Sequence, residues 1–276
     1  MSSAPPVPAD IFHDAFYKFV AVEDPGTLVT HLRGITQDLL GSVLVAAEGV
    51  NGMLAGSAQA LDTFEAMLMQ DPRFQGKFAG MQFKRSPCAT RPFNKLKIHR
   101  KAEIVPLGID GIDATCHAGI NVRPADWQKL IHEDDVIVID NRNSFEHRLG
   151  RFKNAINPQV ANFRDFPDYV KEHVEDWKTQ GKRVAMYCTG GIRCEKTSAW
   201  MQGLGLPVYQ LQGGILNYFI EMPDAAADWD GECFVFDNRV ALDTHLRETG
   251  TTLDDVYDGE RDGEWRLQRA RLLQAG

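Results

Sequence analysis

The sequence predicts two α/β units in series, an antiparallel α+β sandwich followed by a parallel sheet clothed in helices. Three observations carry this reading. The first hundred residues alternate strand-like runs with two helical stretches, the residues beyond about 130 set continuous apolar runs between helical segments, and a Gly-rich stretch from Val105 to Asn121 parts the two. A chain of 276 residues, 43% hydrophobic and 25% charged, is long enough to bury two such cores.

In the first unit, Ala15 to Ala21 reads as a strand, and Pro25 to Leu40 carries helical spacing with a proline near its start. Ser42 to Ala47 is the second strand. It turns through Glu48 to Gly52, where Asn51 and Gly52 form a hairpin signal, into Met53 to Ala55. Ser57 caps a helix running to Gln70, with Leu61, Phe64, Ala66, Met67 and Leu68 on its apolar side. A strand from Gly80 to Arg85 completes the order βαββαβ, a ferredoxin-like (acylphosphatase-like) α+β sandwich. Lys95 to Lys101 alternates strictly, so a strand there sets Lys95, Lys97, His99 and Lys101 on one face and Leu96 and Ile98 on the other. Such a strand is either an edge guarded by lysines or a phosphate-contacting strip with Phe83 and Phe93 as stacking neighbours, and both readings stand.

In the second unit, Trp127 to His132 reads as a helix, Asp135 to Asp140 as a buried strand, Phe163 to Gln180 as a long helix and Arg183 to Tyr187 as the next strand. Glu195 to Gln202 is a helix stopped by Gly203. Pro207 to Leu211 is a further strand, ending at Gly213 and Gly214 before a helix from Ile215 to Ile220. The expected boundaries are 11–107, 108–129 as linker, 130–228, and 229–276 as a C-terminal segment with an acidic tail.

Parallel sheets bind ligands at the C-terminal ends of their strands, and Cys188 sits at such an end. Backbone N–H groups in a tight loop containing Gly191, the positive end of the following helix and the charge of Arg193 would all stabilise a thiolate there, so Cys188 is a candidate nucleophile. Arg193 reads as an anion clamp rather than a surface charge. Cys194 is either a resolving thiol or a small residue of the first helical turn. Asp140 and Arg142 read as an ion pair bracing the loop floor. Cys88 and Cys233 read as core residues, while Cys116 and His117 lack partners at metal-ligand spacing, so no metal site is expected.

Five cysteines without a regular framework point to a reducing cytoplasm, no apolar run reaches membrane-spanning length, and Met1 to Asp10 reads as a lead-in rather than a signal peptide. The net charge of −8 is strongly segregated. From Phe83 to Lys101 there are seven Lys or Arg and no acid, whereas from Glu221 to Asp262 thirteen acids face three bases. A polyanion senses the local field, so RNA is not excluded, and Lys84, Arg85, Arg91, Lys95, Lys97 and Lys101 are candidate RNA contacts.

The second half resembles a rhodanese domain. Asp140, Arg142, Glu146 and Gly150 are similar to that family's opening motif, with Arg151 where a His is usual; Asn154 to Pro158, Cys188 to Arg193, and Leu211 to Ile215 resemble its later motifs in order. Related cysteine phosphatases have a longer loop, with Arg six positions after the nucleophile; here Arg193 follows Cys188 by five, the sulfur-handling length. Together with Glu48 to Gly52, the basic Lys95 to Ile98 segment and Trp229 to Val240, the chain from about Ala15 to Leu242 resembles the bacterial rhodanese-containing tRNA uridine hydroxylases. Some members of that family carry a longer Cys-rich C-terminal region, in whose place the acidic stretch Thr251 to Gly276 stands here. The resemblance implies an oxygen-dependent conversion of the wobble uridine, position 34, to 5-hydroxyuridine, with dioxygen as co-substrate, no recognisable further cofactor, and the anticodon arm of tRNA as partner. Two other readings remain at this level: a sulfurtransferase forming a persulfide on Cys188, and a redox-sensing RNA-binding protein. Oligomeric state has no signature in the sequence.

Overall fold

Asp24 starts the first helix by accepting hydrogen bonds at its carboxylate from the backbone N–H of Gly26 and Thr27, at 2.9 and 3.1 Å, which satisfies donors the helix itself cannot. The computed structural model describes residues 11–116 and 119–275, which form two units. The expected N-terminal lead-in and His117 lie outside the described residues.

Unit 1 comprises residues up to Ile104 together with Phe236–Val240 and the last few residues. Its elements are β1 (Ile11–Phe19), α1 (Pro25–Ile35), β2 (Leu40–Ala46), β3 (Gly49–Gly56), α2 (Ala58–Gln70), β4 (Phe83–Cys88) and β5 (Leu96–Arg100). The sheet order is β4-β1-β3-β2-β5, antiparallel except that β5 runs parallel to β2. Phe16, Val43, Val45, Val50, Leu54 and Ile98 bury one face of the sheet in the core that holds Leu32, Leu61 and Phe64 of α1 and α2. Two expectations change here. The first helix stops at Ile35 rather than Leu40, because β2 already claims Leu40. The hairpin turns at Ala47 and Glu48 and not at Asn51 and Gly52, which lie inside β3; Gly52 is required there because a Cβ would stand 2.3 Å from the Phe16 ring.

Unit 2 comprises Val105–Val235 and Ala241–Ala270. A four-stranded parallel sheet, order β6-β10-β9-β7, is built from β6 (Ile120–Val122), β7 (Val136–Asp140), β9 (Arg183–Tyr187) and β10 (Val208–Leu211). Helices α3 (Pro124–Leu130), α4 (Ser144–Leu149), α5 (Phe166–Thr179), α6 (Ile192–Gln202) and α7 (Gly214–Glu221) connect and cover it. A second ribbon pairs β8 (Gly150–Phe152) with β11 (Trp229–Gly231), and a third pairs β12 (Cys233–Phe234) with β13 (Ala241–Leu242). The expected 108–129 linker therefore contains a sheet strand and a helix. The expected separate segment 229–276 is likewise built into the units: β11 to β13 belong to unit 2, Phe236–Val240 to unit 1, and the supposed acidic tail holds α8 (Leu253–Tyr257) and α9 (Gly263–Ala275). Among the described residues no helix is long and apolar enough to cross a membrane.

Candidate active site

β9 ends at Tyr187, and the next four residues reverse the chain into α6. Gly191 stands at φ +99°, a conformation that a side chain disfavours, and this sharp turn aims the first N–H groups of α6 back at the cysteine. Cys188 Sγ accepts a hydrogen bond from the Gly191 N–H at 3.1 Å. Further hydrogen bonds reach it from the backbone N–H of Arg193 and Cys194 and from the Cys194 thiol. Burial pushes the Cys188 thiol up, but the Cys194 hydrogen bond, the Arg193 charge and the backbone donors outweigh it and bring the pKa down to about 5. Cys194 moves the opposite way: burial and its bond to Cys188 hold its proton well above the usual thiol range. The pair is thus one thiolate and one thiol donor at neutral pH.

The loop is held from behind by α7. The N–H of Ile215 donates to the Cys188 carbonyl at 3.0 Å and that of Leu216 to the Thr189 carbonyl at 3.1 Å. Gly214, at φ +71°, passes so close that a Cβ would lie 2.5 Å from the Cys188 carbonyl oxygen, which explains the paired glycines after β10.

Arg193 does not project freely from the loop. Its two terminal nitrogens bind the two oxygens of buried Glu146 at 2.7 and 2.8 Å, and one also reaches Thr189 Oγ1 at 3.2 Å. The expected anion clamp is therefore a fixed cation, oriented by a bidentate carboxylate, that acts on Cys188 through its field. Glu146 in turn is fixed by α4, where its carboxylate accepts from the Asn143 N–H at the helix start.

Asp140 and Arg142 are paired with each other, fully buried. Arg142 donates to both Asp140 oxygens at 2.8 and 2.6 Å and to the Gly150 carbonyl at 2.6 Å, while its guanidinium lies over the rings of Tyr187 and Trp229. Tyr187 Oη donates to Asp140 at 2.8 Å, and His147 Nδ1 lies 3.1 Å from it. Burial alone would raise the Asp140 carboxyl, but Arg142 and His147 bring it down to about 2. Asn141, between them, was not singled out by sequence reasoning. Its amide donates to Thr197 Oγ1 at 2.9 Å and faces the Cys194 sulfur at 3.9 Å, so it sits behind the second thiol. The only signal available for it was its place inside the Asp140–Arg142 motif.

Cys233 is buried in the unit 2 core, and Cys88, expected in a core, is half-buried beside Arg239 at 3.6 Å. Among the described residues no group of three or more His, Cys, Asp or Glu is arranged to hold a metal ion.

The candidate RNA contacts separate. Lys84 and Arg85 lie on β4, whereas Lys97 lies on β5 with Lys95 and Lys101 flanking it, and these strands are the two opposite edges of the sheet. Arg91 is exposed in the loop between them, its carbonyl accepting from Asn238. Arg85 departs from expectation. Its register turns it to the helix side of the sheet, where it binds Asp14 at 2.9 Å, Asp62 at 2.6 Å and Glu65 at 2.5 Å. Burial and Asp14 lift the Glu65 carboxyl to about 7 even with Arg85 present. The two proposed stacking rings are also engaged: Phe83 packs on Phe16 and Phe64, and Phe93 stacks on His13. Glu48 lies in the hairpin turn as expected, whereas Asn51 lies in β3; both side chains grip the backbone of Ile104, at 2.7 and 3.0 Å.

Two family models match the chain: a UPF0176 acylphosphatase-like domain over residues 13–104 and a rhodanese-like domain over residues 123–221. A tRNA uridine(34) hydroxylase of Legionella pneumophila (strain Corby) is 42% identical over 258 residues, covering 92% of this chain and 98% of that protein. A tRNA uridine(34) hydroxylase of Teredinibacter turnerae is 44% identical over 243 residues, covering 87% of this chain and 74% of that protein. Among solved structures, a rhodanese-related protein of Thermoplasma volcanium is 26% identical over 37% of this chain and 93% of its own, with a TM-score of 0.28.

Proposed function

The chain belongs to the tRNA uridine(34) hydroxylase family, and we propose that it converts uridine 34 of tRNA to 5-hydroxyuridine in an oxygen-dependent reaction at Cys188. The observation that supports Cys188 as the reacting group is its cradle: a buried sulfur at the start of α6, surrounded by donors and ionised down to about pH 5. In this reading the anticodon arm presents an unstacked uridine, and the thiolate adds to C6 of the ring. The displaced electron pair moves to C5. C5 then attacks one oxygen of hydrogen peroxide, the hydroperoxide formed when a dithiol gives two electrons and two protons to dioxygen and becomes a disulfide, breaking the O–O bond and releasing hydroxide. Loss of the C5 proton expels the Cys188 thiolate from C6 and restores the ring. Uracil is oxidised by two electrons, the hydroperoxide is reduced by two, and the cysteine is regenerated. Cys194 and the backbone N–H groups stabilise the thiolate at the beginning and the end of the cycle.

The five-position spacing of Cys188 and Arg193 and the rhodanese-like match favour one second reading, transfer of sulfane sulfur. There the thiolate attacks thiosulfate, forms a persulfide and releases sulfite.

Nucleoside mass spectrometry of tRNA from cells with and without the protein tests the first reading. We expect 5-hydroxyuridine to fall when the protein is absent and to return with the wild-type chain but not with Cys188→Ser, a loss of at least about a thousandfold in the reaction if the nucleophile is essential. Full restoration by Cys188→Ser sinks the mechanism. Unchanged tRNA together with thiosulfate-to-cyanide turnover would establish the second reading in its place.

A further inference from the structure

A second cysteine sits in the first turn of α6, and in the uridine chemistry it serves only as a hydrogen-bond donor. Cys194 and Cys188 are both buried. The thiol and the backbone N–H of Cys194 both donate to Cys188 Sγ, so the two side chains meet at one point. The Gly191 N–H, donating at 3.1 Å, fixes that sulfur from the loop side. Beyond it, Cys194 Sγ faces Asn141 Nδ2 at 3.9 Å, and the same amide is tied to Thr197 Oγ1 at 2.9 Å. The second thiol therefore has a fixed seat between the first sulfur and an amide donor. A disulfide needs an S–S separation of about 2 Å, and a pair already in hydrogen-bond contact leaves a gap within reach of side-chain rotation.

The loop is closed from behind by Gly214 and open in front. Thr189 and Gly190 are partly exposed, and a Cβ at Gly190 would meet nothing within 4 Å, which leaves the approach clear for a small oxidant. Above about pH 5 Cys188 is a thiolate, the form that attacks a peroxide bond. The attack forms an S–O bond, breaks the O–O bond, releases hydroxide and leaves a neutral sulfenic acid on Cys188. That step removes two of the influences that hold the proton on Cys194, its bond to the Cys188 anion and the anion's charge. The Arg193 charge and the Asn141 donor, which both favour an ionised Cys194, remain. Oxidation of the first sulfur thus activates the second.

We propose that Cys188 and Cys194 form a peroxide-reducing pair, in which Cys188 takes the oxidant and Cys194 resolves the product to a disulfide. The Cys194 sulfur attacks the Cys188 sulfur, the S–O bond breaks, and the Cys194 proton leaves with the hydroxide as water. The two sulfurs together lose two electrons and hydrogen peroxide gains them. A small dithiol then restores both thiols by exchange. The inference rests on the thiolate assigned above to Cys188 and goes beyond uridine chemistry: it gives the outcome when peroxide reaches the loop with no RNA base over it. Without a second thiol the sulfenic acid would pass on to sulfinic and sulfonic acids, which a dithiol does not reverse.

The test uses the full, reduced chain, treated with hydrogen peroxide and quenched with N-ethylmaleimide. The wild type should lose two hydrogens, about 2 Da, together with two maleimide sites. Non-reducing tryptic digestion reads the bond directly, because Arg193 lies between the two sulfurs: peptide 184–193 should be joined to peptide 194–196, and dithiothreitol should separate them. Cys194→Ser keeps a hydroxyl donor for Cys188 but should lose the link and react with dimedone as the sulfenic acid. It should then pass to sulfinic and sulfonic acids at peroxide levels that leave the wild type reducible. The wild-type link is read without any variant and so stands apart from how Cys194→Ser folds. Linkage of Cys188 to Cys88, Cys116 or Cys233 instead, or irreversible oxidation of Cys188 as fast in wild type as in Cys194→Ser, overturns the proposal. A reversible link between Cys188 and Cys194 in a protein whose loss leaves 5-hydroxyuridine unchanged supports the pair and removes only the hydroxylase reading. Cys188-dependent 5-hydroxyuridine without the link removes only the pair.

Discussion

The Cys188 loop and the basic stretch from Phe83 to Lys101 are both dense in reactive or charged side chains, yet the fold converges one and disperses the other. In the loop, the N–H groups of Gly191, Arg193 and Cys194 and the Cys194 thiol all meet on a single sulfur, because a strand end and a helix start leave them no alternative geometry. In the basic stretch, strand order carries Lys84 and Arg85 to one edge of the sheet and Lys97 to the other, and pleat alternation turns Arg85 to the opposite face from Lys84. Groups within one turn of chain act as a unit; groups spread over two strands act according to topology. That contrast can be tested by removing, in each region, the residue that makes it what it is.

The largest effect is expected at Glu146. Arg193 is buried, and Glu146 satisfies two of its nitrogens, so Glu146→Ala leaves an uncompensated cation in the loop wall. Breaking a buried pair from one side costs about 3–5 kcal/mol, which denaturant unfolding will read directly. A loss below about 1 kcal/mol would mean that Arg193 finds solvent or another acceptor and that the loop is less tightly determined than its geometry indicates.

A smaller effect is expected at Cys194, the donor that most strongly favours the Cys188 anion. In the wild type, alkylation of Cys188 by iodoacetamide should rise with pH through a midpoint of about 5 and then level off. Cys194→Ala should move that midpoint upward. The same ionisation links to stability. The folded-state pKa lies below the ordinary thiol value of 9.0, so ionisation of Cys188 contributes stability that is complete above that value, declines as pH falls, and is gone below about 5. Over pH 5 to 9 the wild type should therefore gain stability relative to Cys188→Ser as pH rises. Parallel stability curves for the two proteins would show that the sulfur is not ionised in this range.

What the sequence made legible follows the same division. The βαββαβ order, the parallel second sheet and the position of Cys188 at a strand end were all readable, because apolar periodicity and a glycine-rich turn are local signals. Glu146 was visible as part of a motif but not as the partner of Arg193, since the two are 47 residues apart and only the packing of α4 against the loop joins them. Asn141 and Tyr187 were hidden for the same reason: each acts through a contact between different elements. The Asn51–Gly52 signal misplaced the hairpin because glycine has two uses, a turn and a close approach, and here the ring of Phe16 lies over Gly52. Arg85 looked like a phosphate ligand because its carboxylates Asp14, Asp62 and Glu65 come from elsewhere in the chain.

The smallest effects, at Arg85 and Lys101, sharpen the contrast most finely, since both are basic residues of one stretch with opposite environments. Lys101, exposed beyond the end of β5, should behave as a phosphate contact: Lys101→Met weakens stem-loop RNA binding a fewfold and lowers its salt slope by about one. Arg85→Met should leave that slope unchanged, because its charge is already neutralised by Asp14, Asp62 and Glu65. It should instead destabilise unit 1 by about 1–3 kcal/mol, since fully buried Asp14 loses its cation. Anisotropy titrations at several salt concentrations, paired with urea melts, separate the two variants. Equal salt slopes for wild type and Lys101→Met would remove Lys101 from the interface, and a lowered slope for Arg85→Met would return Arg85 to it.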